Sequence, residues 1–217
     1  MTVLPSLILL SFIQSAFSDA EVLKVEDFDE QIEDSWVGRH EDFDDVYSIA
    51  DEGDERFLTA VANGSDNLIV KKVKVDITEY PYLNWRWRAH TLPEGGDESV
   101  KKTCDAAASV AVVLNKSKIL PKSIKYTWST TLAKDSLIKS PYAFWPARCD
   151  IRVIDSGSEH IGEWRTVKVN LLEDYKHFYK KKDVKSKHVR AIVIMTDSDN
   201  TGSSSSADYD QFYFSKH

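Results

Sequence analysis

The chain has 217 residues, a net charge of -7 and 42% hydrophobic residues. That acidity excludes a phosphate-backbone binder, which needs clustered cations. After residue 18 no apolar run approaches the ~20 residues that span a bilayer, and residues 19–217 suit one large all-β domain better than two small ones.

Residues 1–18 read as an export signal. From Val3 to Phe17 only Ser6, Ser11, Gln14 and Ser15 interrupt the apolar run, and Ala16-Phe17-Ser18 offers small residues for cleavage. The expected localisation is therefore periplasmic or secreted. Two acidic runs follow, Glu26-Asp27-Phe28-Asp29-Glu30 and Glu41-Asp42-Phe43-Asp44-Asp45. Residues 46–49 and 57–61 alternate around the turn Asp51-Glu52-Gly53-Asp54, as a hairpin does. Further alternating segments lie at 68–77, 82–89, 106–114, 124–128, 148–154 and 165–171. Residues 171–181 carry the one helical stripe, Leu171, Tyr175, Phe178 and Tyr179. Strands at 191–196 and 209–214 close the chain, with 202–206 as a hairpin loop and 176–187 as a basic, solvated surface. Nine or ten strands, one short helix and no βαβ rhythm predict an antiparallel β-sandwich, a jelly roll.

The strand at 82–89 alternates without a fault. Leu83, Trp85, Trp87 and Ala89 share one face, and Tyr82, Asn84, Arg86 and Arg88 share the other. The apolar set is expected in one core with Val110, Val112, Tyr126, Trp128, Val167, Val169, Ile192, Ile194, Phe212 and Phe214. The polar set supplies planar guanidinium donors beside a phenol and an amide, the chemistry that grips carboxylates and sugars. If the next strand pairs with it, Asp105 and Ser109 join that face over a floor of Ala107 and Ala111, as in a shallow glycan groove. A plain Arg–Asp ion-pair lattice is the other reading. Trp145, in the proline-bracketed loop Pro141-Tyr142-Ala143-Phe144-Trp145-Pro146, and Trp164 are candidate stacking rings or buried packing.

Cys104 and Cys149 are an even pair in an exported chain, compatible with one disulfide or with two buried thiols. Asn63-Gly64-Ser65 and Asn115-Lys116-Ser117 match the glycosylation sequon, which has meaning only outside bacteria. The run Asp197-Ser198-Asp199-Asn200-Thr201-Gly202, with Asp208 at the twelfth place, approaches a calcium loop, and Asp197, Asp199, Thr201 and Asp208 are its candidate ligands. Thr201 and Asp208 depart from the usual residues and no helix precedes the loop, so a polar hairpin without a cofactor stands against it. A second oxygen cluster forms if Glu26 and Asp27 lie beside Asp210. No nucleophile elbow, zinc motif, P-loop or dinucleotide fingerprint occurs.

Five ordered blocks carry a family resemblance. They are Pro81-Tyr82-Leu83-Asn84-Trp85-Arg86-Trp87; Asp105-Ala106-Ala107-Ala108; Ser123-Ile124-Lys125-Tyr126-Thr127-Trp128-Ser129; Gly162-Glu163-Trp164 with Glu173-Asp174-Tyr175; and Met195-Thr196-Asp197-Ser198-Asp199-Asn200-Thr201-Gly202 leading to Tyr209-Asp210. Together they resemble the domain of unknown function 3047 family, mostly bacterial and exported. The resemblance implies a galactose-binding-like β-sandwich and brings no activity with it. The family pattern has a second acidic residue where this chain has Cys104.

The expected function is non-catalytic binding of a glycan, or of another polyhydroxylated or acidic ligand, by an exported domain. The alternative is a carbohydrate-active enzyme, a polysaccharide lyase above all, using the same arginine face with Tyr82 or His90 as base.

Overall fold

A computed structural model describes residues 21–32, 35–40, 42–115, 117, 121–143 and 146–217. Residues 1–18, read above as an export signal, lie outside them. Among the described residues there are thirteen strands, numbered here along the chain, and one α-helix. Sheet A contains β1 (Val22–Glu26), β3 (Tyr47–Glu52), β4 (Glu55–Asn63), β6 (Tyr82–Thr91), β11 (Arg165–Asn170) and β13 (Ser204–Ser215). Its order is β11-β6-β13-β4-β3, with β1 beside the second half of β13. Sheet B contains β2 (Trp36–Gly38), β5 (Leu68–Asp76), β7 (Ala108–Val113), β8 (Lys122–Ser129), β9 (Leu137–Lys139), β10 (Arg148–Ser156) and β12 (His188–Met195). Its order is β2-β5-β12-β7-β8-β10-β9.

The two sheets enclose one core, a jelly-roll sandwich. Every apolar residue expected there from the alternation is buried in a single cluster. Trp85 meets Trp87 edge-on at 5.3 Å and leans on Tyr126 at 5.7 Å, while Trp87 approaches Trp128 at 6.2 Å. Such pairs add to area burial by about 0.5–1.5 kcal/mol each. No helix among the described residues is long and apolar enough to cross a membrane.

Three details differ from the sequence reading. First, β8 and β10 run parallel, the one parallel pair among the described strands. Second, Ser204, Ser205 and Ser206 are not a loop but already belong to β13, paired with Asn63, Ala62 and Val61. Third, β13 contains a bulge at Gln211 (φ 55), between the registers Asp210↔Arg86 and Tyr213↔Asn84. The extra residue switches the side-chain phase. Ala207 and Tyr209 point inward before it, Phe212 and Phe214 after it, so Asp208 and Asp210 are turned to the outer face of sheet A.

Helix α1 (Leu171–Tyr179) closes one end of the sandwich. The Asn170 side chain caps it by accepting from the Glu173 N–H at 3.0 Å, and Lys180 ends it in the left-handed region at φ 53. Leu171 and Phe178 bury its apolar stripe. Asp174 accepts from the Tyr126 hydroxyl and from Arg152, both at 2.9 Å, which ties the helix to β8 and β10.

Candidate functional site

The arginine face exists, but its charges are already answered. Strand register sets Asp210 opposite Arg86 and Asp208 opposite Arg88. Arg86 donates to Asp210 at 2.9 and 2.6 Å and to Glu55 at 2.8 Å. Arg88 donates to Asp208 at 3.0 Å through Nε and reaches Glu52 at 2.8 Å. Trp164 covers both guanidiniums, at 4.5 and 4.7 Å from its ring, and meets Phe57 edge-on at 5.3 Å. His90 completes the lattice, with Nε2 2.6 Å from Asp208. An acidic ligand would have to displace Glu52 and Glu55, so the ion-pair lattice is the reading that fits.

Arg88→Ala is therefore expected to cost about 3 kcal/mol, the scale for stranding a buried carboxylate, measured by denaturant unfolding at pH 7. Burial works against ionised Asp208, but hydrogen bonds from His90, Thr59 and Arg88 outweigh it and hold its carboxyl below the usual range. A carboxyl with a depressed folded-state pKa contributes stability above its unfolded pKa and loses it as pH falls. The gap between wild type and Arg88→Ala should then narrow in acid.

Asp105 does not join the arginines. The 92–107 connection takes the chain from β6 in sheet A to β7 in sheet B, so β6 and β7 never pair. Tyr82 begins β6, between β11 and β13, under the Lys168 ammonium, 4.6 Å from its ring. Asn84 is buried and donates to Ser215 at 3.1 Å, so it offers no group to a groove. Trp145 lies outside the described residues.

Asp105 instead helps build a cleft on the outside of sheet B, about 340 Å³ in volume. Lys125 of β8 rises from its floor, opposite the small Ala111 of β7. Asp105 accepts from the Thr201 N–H and hydroxyl, both at 2.7 Å, and from the Asn200 N–H at 3.2 Å. Asp197 accepts from the Ala106 N–H at 3.0 Å. These bonds fasten the 104–107 segment to the 197–203 turn and bring one oxygen each of Asp105, Asp197 and Asp199 within 4.8 Å of one another. Asp199 is exposed at the mouth, where it also accepts from the Asn200 amide at 2.8 Å. Tyr142, half exposed, leans over from the opposite loop and contacts Asn200 and the Lys101 carbonyl.

The electrostatics of the cleft centre on Lys125. Burial opposes its charge, yet Asp197, Cys104 and Glu98 more than offset that and raise its pKa, so it stays an ammonium. Burial pushes the Asp197 carboxyl up to about 7, against the pull of Lys125 and of the Ala106 N–H. Among the described residues no protein acceptor lies within hydrogen-bond distance of the Lys125 ammonium. A half-buried ammonium that makes no hydrogen bond to a described residue, beside carboxylates with unused lone pairs, is a group awaiting a ligand. Sequence reasoning placed Lys125 in a family block without assigning it a role; its position between core-facing Ile124 and Tyr126 was the available signal.

The calcium pattern does not assemble as spaced. Thr201 serves Asp105, and Asp208 is carried along β13 to the other sheet, beside Arg88 and His90. Glu26 is likewise committed, to Trp36 at 3.0 Å and Lys71 at 2.8 Å, although β1 does lie beside β13. Cys104 and Cys149 both line the cleft but are not bonded; each is a free thiol. Burial raises both, Cys104 to about 11, which keeps them protonated and unreactive at neutral pH.

A family profile described as "Protein of unknown function (DUF3047)" matches residues 34–213. The chain belongs to the DUF3047 family. No curated protein sequence matches this DUF3047 chain. Among solved structures it is similar to a family 11 carbohydrate-binding module of the cellulosomal cellulase Lic26A-Cel5E of Clostridium thermocellum. That match has 8% identity, covers 91% of this chain and 95% of that one, and has a TM-score of 0.46. It is also similar to a native family 12 xyloglucanase from Bacillus licheniformis, at 11% identity, 90% and 93% coverage and a TM-score of 0.47. A third likeness is to the K1 cleaved adhesin domain of Lys-gingipain from Porphyromonas gingivalis W83, at 12% identity, 90% and 98% coverage and a TM-score of 0.43. The function of this DUF3047 domain is therefore argued from its own side chains.

Proposed function

We propose that the domain, exported by residues 1–18, binds a neutral glycan in the lysine cleft without transforming it. The observation that carries this is the Lys125 ammonium, half-buried in the cleft and unpaired among the described residues, beside Asp197 and Asp199. A sugar hydroxyl can accept from such an ammonium while donating to the neighbouring carboxylate, so one hydroxyl answers both groups. Vicinal hydroxyls repeat that pattern along a ring, and the Tyr142 ring at the mouth suits its apolar face. The charge balance favours a neutral sugar over an acidic one. Lys125 and Arg39 face Asp66, Asp197 and Asp199 in the lining, with Asp105 directly behind.

A second reading has one observation in its favour. Asp197, whose carboxyl burial pushes up to about 7, and exposed Asp199 close by are two carboxyl groups of unlike environment, as acid catalysis of glycoside cleavage requires. A glycan array combined with a turnover screen separates the two. Retention of neutral oligosaccharides with no product after prolonged incubation is expected. Product formation that Asp197→Asn abolishes would favour the enzyme, and no retention of any glycan would defeat both readings.

A further inference from the structure

A second cavity, of about 490 Å³, opens at the side of the sandwich where edge strand β11 of sheet A faces β10 of sheet B. Its lining holds four cations, Lys134, Arg152, Arg165 and Lys168, against two carboxylates, Asp135 and Asp155. In a chain of net charge -7 this is a local reversal of sign. We propose that this cavity binds the carboxylate of an acidic sugar residue, a uronate, at a site separate from the lysine cleft.

The cations differ in how far they are committed. Arg152 is held by Asp174 at 2.9 Å and Asp135 at 3.2 Å, and its buried Nε has no acceptor. Arg165 and Lys134 each approach Asp155, but at 3.7 and 3.8 Å, too far for a hydrogen bond. Asp155 is nearly buried and accepts from the Trp87 indole N–H at 3.1 Å. It therefore aims the two side chains into the cavity without using their donors, and no other described residue hydrogen-bonds to either. Arg165 brings a planar fork that matches a carboxylate in two-point geometry, and Lys134 adds a mobile point charge. Tyr82 and Val167 supply an apolar wall for a ring face. The same cavity offers the acidic-ligand chemistry that the closed lattice around Arg86 and Arg88 cannot.

The test is calorimetric titration of the chain with trigalacturonate, and with the neutral galactotriose and sodium sulfate as comparisons. Trigalacturonate is expected to bind, more weakly at 300 mM than at 50 mM salt because exposed charges are screened. The double variant Lys134→Ala/Arg165→Ala should lose at least tenfold in that affinity with its circular dichroism unchanged, measured well below a melting temperature that is expected to fall because nearly buried Asp155 loses both neighbouring cations. Lys125→Met should leave it untouched, which separates this site from the lysine cleft. Failure of trigalacturonate to bind would overturn the proposal, as would equal affinity in the double variant. Heat from sulfate matching that from trigalacturonate would also overturn it, by showing an unselective basic patch.

Discussion

Trp87→Ala is expected to destabilise the domain by about 3–5 kcal/mol, the cost of truncating a large aromatic side chain in a closed interior. Trp87 is fully buried between Trp85 and Trp128, so its removal opens a void that neighbouring indoles are too rigid to fill. A second penalty follows from its N–H, which serves Asp155 at 3.1 Å. That carboxylate would remain buried with one donor fewer. Urea unfolding should show the midpoint falling at unchanged slope. A loss under 1 kcal/mol would mean that the Trp85–Trp87–Trp128 interior is not packed as described. Trp164→Ala is the informative contrast, because that ring is only half-buried and lies over the arginines rather than in the core.

The core was legible because alternation is a local rule and this chain obeys it through most strands. Leu83, Trp85 and Trp87 could be assigned to the interior from their spacing alone, as could Val110 and Val112 or Ile192 and Ile194. Where the rule failed, a single residue was responsible. With Phe212 and Phe214 inward, strict parity also turns Asp208 and Asp210 inward, and the bulge at Gln211 reverses that. No simple spacing announces a bulge at a glutamine, so the true partners of Arg86 and Arg88 stayed hidden while Asp105 was offered in their place.

Site legibility failed for a different reason, which is topology. Asp105 does lie beside a cleft, and with Asp197 and Asp199, but the floor expected from Ala107 is not there, since Ala107 is part of the core. What sequence could not supply was that β6 and β7 lie in different sheets. Cys104, from the 92–107 connection, and Ser140 and Tyr142, which follow β9, then line the cleft with Lys125, a residue whose alternation alone marks it as a solvated strand lysine. The cysteines show the same limit. One disulfide and two buried thiols were both compatible with the sequence, and only the fold shows that two thiols lining one cleft remain free.

Lys125→Met should weaken glycan binding by roughly 10- to 100-fold, since a hydrogen bond to a charged donor contributes about 1.5–3 kcal/mol. Methionine keeps the length and apolar stem, so the cleft keeps its shape while losing the ammonium. A structural role can be told apart by pH. The folded-state pKa of Asp197, at about 7, lies above the unfolded value, so its contribution to stability is full in acid and is lost as pH rises through 7. Lys125 lowers that pKa, and its loss should push it higher. The variant is therefore expected to match wild type in melting temperature at pH 5 and to fall below it at pH 8. Binding measured at pH 5, where both proteins are equally stable, then isolates the ligand contact. If Lys125→Met binds glycan as wild type does at pH 5 and differs only in stability at pH 8, the lysine serves Asp197 alone. If binding is lost at pH 5 and Lys125→Arg restores part of it, the cation itself meets the sugar.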